Sequence, residues 1–285
     1  MVWTKVAEPS LQLYEARCAL HWALQVPAAF AFTFLPPRPD DNHMNFRWRG
    51  ALGALTSHAC PDGFRLGLRF ADLNLLLFKD EALHSKYALV GKTLEQAYTW
   101  LASKLATDDQ TIPLRRPGYD LPPHPVAAGV TFKKDELYRE IAKWYGNAAT
   151  VLEEVRVTHS STPSGTVPVR CWPHHFDIAT RLELDAAAHP ESSPASIGVG
   201  MTPGDEGIAE PYWYVTPWPM STGTEFPPLA DGYWHTGHQD NGGWTGAVLT
   251  ATDLTTQSAD AQALQVEAFF RSAVAATRQL LNISN

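Results

Sequence analysis

The stretch FRLGLRFADLNLLLF, residues 64–78, predicts an antiparallel β-hairpin. Apolar side chains occupy every second position from Phe64 to Phe70, which is the period of a strand that buries one face. Ala71 and Asp72 then predict a turn, and a second apolar run follows them. Because hairpins join neighbouring antiparallel strands, this stretch indicates an antiparallel sheet in the first part of the chain.

Helices and further strands are predicted on both sides of this hairpin. Apolar residues at helical spacing predict a helix over residues 10–25, and Thr93 with Gln96 forms a capping box that begins another. Residues 28–35 place phenylalanine at every second position and predict a strand, and residues 46–56 predict one more. The first half is therefore expected to run helix, four strands, helix.

A proline-rich stretch over residues 107–133 is predicted to link two halves, 1–106 and 134–285. Proline lacks the N–H that helices and central strands need, so this stretch is expected to form neither. It is also too long for an idle connection, and we expect it to pack over the surface.

After the linker the order of elements repeats. Apolar periodicity predicts a helix from about Asp135 and a closing helix over residues 258–281. Four strands are predicted between them, at residues 167–182 with an interruption at Pro173, 195–201, 212–218 and 244–249. The sequence thus predicts an α+β fold with two similar halves, each with a helix, about four antiparallel strands and a helix, and an internal duplication would explain the repeat. The alternative is that many α+β chains of this length can be divided in this way.

Composition excludes several classes of function. The 285 residues are 45% hydrophobic and 18% charged, as in a soluble globular protein. The net charge of -8 argues against partners that need a basic surface, namely nucleic acids and anionic membranes. No run approaches the roughly 20 apolar residues of a membrane span, and no signal peptide is expected. Three widely spaced cysteines, Cys18, Cys60 and Cys171, fit a reduced compartment, so a cytoplasmic protein is predicted.

Aromatic side chains are concentrated in the third quarter of the chain. With strand alternation over residues 212–218, one set of side chains packs in the core while the other borders a cleft. This arrangement predicts a small-molecule pocket. The candidate ligand-binding residues are Trp172, Tyr212, Tyr214, Trp218, Tyr233 and Trp234. Two alternatives stay open: the aromatic residues form only core and cross-strand pairs, or an exposed tryptophan patch serves a protein-interaction module.

Histidines in the same quarter lead to a second hypothesis, a hydrolase-like enzyme that depends on a metal or on histidine. Imidazole and carboxylate ligands suit a divalent transition metal such as zinc, iron or manganese. The candidate metal ligands are His174, His175, Asp177 and His238, and the candidate catalytic residues are His175, Asp177 and His235. Histidine could also carry acid–base chemistry without a metal. The structural alternative places His174 in a buried hydrogen bond and the others on the surface.

Three stretches resemble an uncharacterised bacterial family of domains of unknown function. They are a tryptophan followed by Phe-Asp at Trp172–Asp177, a glycine-rich turn at Gly200–Gly204, and a strand with tyrosine and proline at Pro211–Pro219. The order of elements in the N-terminal half is also similar. The His174-His175 pair departs from the family pattern, and the resemblance implies no activity. The sequence also lacks the common hydrolase, phosphate-loop and dinucleotide motifs.

Overall fold

Helices and antiparallel strands share the chain, so the predicted α+β class is confirmed. The computed structural model describes residues 3–106, 112–159, 167–184, 195–219, 225–237 and 243–281. Within them the helices are α1 (Leu11–Phe34), α2 (Leu94–Leu105), α3 (Leu137–His159) and α4 (Ala259–Leu280). The strands are β1 (Arg47–Arg49), β2 (Ala54–Thr56), β3 (Phe64–Arg69), β4 (Asn74–Lys79), β5 (Ala82–Ala88), β6 (Arg170–Trp172), β7 (Asp177–Glu183), β8 (Ser196–Thr202), β9 (Tyr212–Trp218), β10 (Tyr233–Thr236) and β11 (Thr245–Thr250). Of the helices described, none combines the length and apolar character needed to cross a membrane.

The described residues divide into two compact units. The first unit comprises Ser10–Ala142 and Arg170–Asp177, and the second comprises Met1–Pro9, Lys143–Val169 and Ile178–Asn285. Each unit therefore contains a segment that is distant in sequence from the rest of it.

The sheet of the first unit is a meander in the order β1-β2-β3-β4-β5. The predicted hairpin is confirmed: β3 pairs with β4, with Leu66 opposite Leu77 and Leu68 opposite Leu75. These four leucines are buried. Strand β5 was not predicted because it is an exposed edge strand, which has no apolar alternation to reveal it.

Two strand predictions in the first half are wrong. Residues 28–34 continue α1 through Pro27, because residues 28–31 are completely buried and their packing outweighs local propensity. Phe30 and Phe34 then lie one turn apart and their rings are in contact. Residues 46–56 form two short strands, β1 and β2, because Gly53 adopts a left-handed conformation and closes a turn between them.

The proline-rich stretch packs on helices of the first unit. Among its described residues, 112–133, only a 3₁₀ turn at Pro125–Ala128 is helical. Trp22 of α1 donates a hydrogen bond to the carbonyl of Pro122 at 2.8 Å. Arg116 forms two hydrogen bonds with Glu95 and lies 3.9 Å from the ring centroid of Tyr98, both on α2.

In the second unit, five strands lie in the order β10-β11-β9-β8-β7. Trp213 of β9 is completely buried, and its ring contacts Trp3, Trp144 of α3 and Phe270 of α4. The regular alternation predicted for residues 212–218 is confirmed, with Trp213 and Val215 in the core. Residues 233–236, which lie between two of the predicted strands, form the short strand β10 against β11.

The N-terminal segment of the second unit is held by two buried amide side chains. Asn147 of α3 accepts from the N–H of Thr4 and donates to its carbonyl. Gln262 of α4 does the same for Val6, at 3.0 and 3.1 Å, and also accepts from the Trp3 indole. Each amide therefore bonds one residue of the segment as a neighbouring strand would.

Candidate ligand-binding site

One face of the second unit's sheet carries an open cavity of about 390 Å³. Its lining comes from four strands and the residue before β11: Arg181, Ser196, Gly198, Thr216, Pro217, Trp218, Trp244 and Thr245. Pockets for small molecules in proteins are of this order of size and are lined mostly by apolar and aromatic groups with a few polar ones. The cavity therefore has the dimensions and composition of a ligand site.

The floor of the cavity exists because strand β8 has small residues on this face. Gly198 lies opposite Arg181 of β7 on one side and Thr216 of β9 on the other. A methyl group at Gly198 would come within 2.5 Å of the Thr216 hydroxyl oxygen. Ser196 continues the same face, whereas Ile197 and Val199 point into the core and are completely buried.

Two tryptophans border the cavity, and one of them is fixed in place. The Trp244 indole lies 4.7 Å from the His235 ring and stacks on Tyr212 at 6.2 Å. It also covers Gly246, where a side chain would meet the indole at 2.7 Å. Trp218, at the end of β9, is 54% exposed. One wall is therefore preordered and the other is accessible.

The other aromatic residues predicted to bind ligand have different positions. Tyr214 lies over Gly200, where a Cβ atom would be 2.3 Å from the phenol ring. Tyr212 is buried and donates a hydrogen bond to Asp205 of the β8–β9 connection. Both rings contact Trp244, so they support the cavity wall without lining the cavity.

Tyr233 and Trp234 lie on β10, and neither lines the cavity. Tyr233 is 43% exposed, and partial burial with nearby Asp253 and Glu210 raises its pKa above the ordinary value. Trp234 donates to the Pro227 carbonyl at 2.7 Å and stacks on Phe226.

The cavity carries little net charge. Arg181 forms an ion pair with Glu183, two residues along the same strand, at 2.9 Å, and both side chains are exposed. Such an exposed pair contributes little to stability and is open to exchange with a ligand group. The remaining polar groups are the hydroxyls of Ser196, Thr216 and Thr245, which can donate or accept hydrogen bonds.

The histidine-containing stretch lies in the first unit and forms a turn. Strand β6 ends at Trp172, residues 173–176 turn, and Asp177 begins β7. Phe176 adopts a left-handed conformation with φ of 57°, so side chains do not alternate between two faces along this stretch. The turn breaks the strand at Pro173, where the sequence predicts an interruption, but the left-handed conformation of Phe176 was not predicted.

Helix α1 holds this turn through three polar side chains at helical spacing. His21 Nε2 and Gln25 Nε2 both donate to the Pro173 carbonyl, at 2.8 and 3.1 Å. Arg17 donates to the carbonyl of His175 at 3.4 Å. The His21 ring also stacks on Phe176, with ring centroids 5.1 Å apart. The spacing i, i+4, i+8 of these residues, in a helix otherwise rich in apolar residues, is a signal that sequence reasoning missed.

His174 and His175 lie side by side, with ring centroids 4.2 Å apart. Burial, with a further contribution from His175, lowers the pKa of His174 to about 4, so this imidazole is neutral near pH 7. His174 also contacts the rings of Tyr119 and Trp172. His175 is exposed.

The structure assembles no metal site from the predicted ligands that it describes. Across residues 3–106, 112–159, 167–184, 195–219, 225–237 and 243–281 there is no group of three histidine, cysteine or acidic side chains that could hold an ion. His175 and Asp177 belong to the first unit and His235 to the second. The fourth predicted ligand, His238, lies outside the described residues.

Comparison with protein-family models, with curated protein sequences and with solved structures finds no match to this chain. The resemblance to an uncharacterised bacterial family therefore stays a prediction. The residues of its glycine-rich turn have local roles here: Gly200 lies under Tyr214, and Gly204 is left-handed, where the Ala209 backbone approaches closely.

Proposed function

We propose that the protein binds a small planar aromatic molecule with one hydrogen-bonding group, in the cavity of its second unit. One observation carries the proposal: a cavity of about 390 Å³ has a glycine in its floor and tryptophans at its border. Trp218 was predicted from the sequence to bind ligand, and it is one of the two tryptophans.

The shape and chemistry of the lining favour an aromatic ring. Gly198 adds no side chain of its own to the floor, although the Thr216 hydroxyl lies close above it, and indole rings stack on aromatic ligands with a gain beyond the area they bury. Because neighbouring rings already hold Trp244 in place, binding costs less conformational entropy on that side. The hydroxyls of Ser196 and Thr216 supply partners for a polar substituent.

A titration of the full-length protein with benzamide and with cyclohexanecarboxamide tests this proposal. The two probes share a carboxamide and a six-membered ring, but only benzamide is aromatic. We expect benzamide to bind more tightly in isothermal titration calorimetry, and to shift amide resonances of β8 and β9 in nitrogen–proton NMR spectra. Equal affinities for the two probes, or shifts confined to other strands, would contradict the proposal.

Trp218→Ala is the matched variant, since the side chain is 54% exposed and its loss leaves no core cavity. We expect about tenfold weaker benzamide binding, which corresponds to about 1.4 kcal/mol of stacking and contact. Tyr233→Ala is the control, because this aromatic residue is also exposed and lies in the same unit outside the cavity. An equal loss in both variants would place the binding elsewhere.

The enzyme hypothesis, with His175, Asp177, His235 and His238, stays a prediction, as does the protein-interaction module. Elemental analysis of the purified protein, repeated on a His175→Ala, His235→Ala double variant, tests the metal-dependent form. Stoichiometric metal that is lost in the variant would favour the enzyme.

We also propose that the two halves arose by duplication and that the protein is cytoplasmic. Both units contain helices and an antiparallel sheet, which supports duplication. Their strand orders differ, because β11 lies between β9 and β10 whereas the strands of the first unit follow one another in chain order. Three buried free cysteines fit a reduced compartment. Cell fractionation tests the location.

A further inference from the structure

Arg17 of α1 is a buried guanidinium without a carboxylate partner. The residue is 4% exposed. Its Nη2 donates to the carbonyl of His175 at 3.4 Å, and its Nη1 lies 3.9 Å from the sulfur of Cys18. In the part of the chain that the structure describes, no acidic oxygen lies within 4.0 Å of it, and its Nε has no hydrogen-bond partner.

This arrangement is costly for the folded chain. A buried charge normally has a counter-ion and a full set of hydrogen bonds, since water no longer solvates it. Guanidinium has five N–H donors, of which one here reaches an oxygen acceptor, at a long distance. The preceding Glu15 is exposed and is not among its ion-pair partners. The described residues therefore give this charge no anionic partner, although the guanidinium carbon lies 5.7 Å from the ring centroid of Tyr14.

His21, one helical turn further along α1, presents an unpaired acceptor. Its Nε2 faces the carbonyl of Pro173, so this nitrogen carries the hydrogen, and Nδ1 has the free lone pair. Nδ1 is buried and has no partner in the described residues. Burial, with the nearby Arg17 charge, lowers the pKa of His21 to about 3, which keeps the ring neutral.

From these two groups we infer that Arg17 and His21 form a binding site for a small oxyanion that also carries an O–H group. The oxyanion would accept from the free N–H groups of Arg17, and the O–H would donate to Nδ1 of His21. Monohydrogen phosphate and 2-hydroxycarboxylates have this chemistry, whereas sulfate lacks the O–H. His175, whose carbonyl accepts a hydrogen bond from Arg17, is an exposed residue.

Thermal unfolding of the full-length protein in phosphate, glycolate and sulfate at equal ionic strength tests the inference. We expect phosphate or glycolate to raise Tm by about 5 °C at 100 times its Kd, and sulfate to have a much smaller effect. The anion that raises Tm more shows whether the site binds a phosphate or a 2-hydroxycarboxylate. Equal effects of all three salts would overturn the inference, because they would reflect general salt stabilisation.

Arg17→Met separates a binding role from a structural one, since methionine fills similar space without charge. We expect this variant to lose the anion-dependent rise in Tm and, without anion, to be at least as stable as the wild-type protein, because an uncompensated buried charge has been removed. A lower Tm without anion, together with an unchanged response to phosphate, would overturn the inference and show that Arg17 only stabilises the turn at residues 173–176. Arg47→Met, at an exposed arginine of the same unit, is the control and should keep the full response.

Arg17→Lys keeps the test decisive if the methionine variant fails to fold. Lysine retains the charge and loses the geometry of the guanidinium fork. We expect at least tenfold weaker binding of phosphate by calorimetry, and unchanged affinity would overturn the inference.

Discussion

Replacement of His21 by glutamine should make the protein less sensitive to acid. In the folded chain the His21 ring is 1% exposed and its pKa is about 3, because burial and Arg17 disfavour the imidazolium. In the unfolded chain its pKa returns to about 6.5. Above about pH 7.5 both states are neutral and His21 adds no pH dependence. Below pH 6.5 only the unfolded state binds a proton, so the free energy of unfolding falls by about 1.4 kcal/mol per pH unit until about pH 3.

At pH 5 this amounts to about 2 kcal/mol relative to pH 8. Urea unfolding at several pH values, in buffers without phosphate, measures it. Glutamine can still donate to the Pro173 carbonyl but does not titrate, and carboxylates contribute alike in both proteins. The difference between the two stability profiles therefore isolates His21. Profiles that run parallel from pH 8 to pH 4 would refute the reasoning.

Three further predictions concern stability and are measured by urea unfolding at pH 7.5. Gln262→Ala leaves the Trp3 indole and both backbone groups of Val6 without these partners, so we expect the free energy of unfolding to fall by about 3 kcal/mol. Gln279→Ala, at an exposed position of the same helix, should change it little, and equal effects of the two variants would contradict the expectation. Gly200→Ala places a methyl group 2.3 Å from the Tyr214 ring and should cost about 1–3 kcal/mol, whereas Gly50→Ala meets open space; a neutral Gly200→Ala would show that the tyrosine moves freely. Thr93→Ala removes one half of the capping box of α2 and should cost about 1 kcal/mol, and an unchanged free energy of unfolding would contradict this role of the cap.

Elements whose cause is local were predictable from the sequence. The hairpin over residues 64–78 and the capping box at Thr93 and Gln96 are confirmed. Helices α3 and α4 were also predicted, because long apolar stripes identify a helix without knowledge of its partner.

Elements decided by tertiary packing were not predictable. Residues 28–35 have a strand's alternation, yet complete burial around Pro27 makes them helical. Pro173 predicts an interruption of the strand, but the hydrogen bonds that the turn at residues 173–176 accepts come from side chains of α1, about 150 residues earlier in the sequence. No local pattern contains that information.

The candidate cavity was predictable in part. Alternation along β9 predicts that Trp218 lies on the open face. In the sequence of β8, the small residues Ser196, Gly198 and Gly200 alternate with apolar ones that are buried. The contribution of Arg181 follows only from the register that brings it opposite Gly198, which requires the paired strands.

The clamp of Asn147 and Gln262 on the N-terminal segment has a consequence for biosynthesis. Residues 4 and 6 are synthesised before the side chains that bind them, which follow 143 and 256 residues later. At about 5–20 residues per second, Val6 waits on the order of 13–50 s for Gln262 to be made. Trp3 and Val6 are both buried in the folded protein, and neither can bond Gln262 until that residue has been made. This segment is thus synthesised long before the side chains that complete its native contacts.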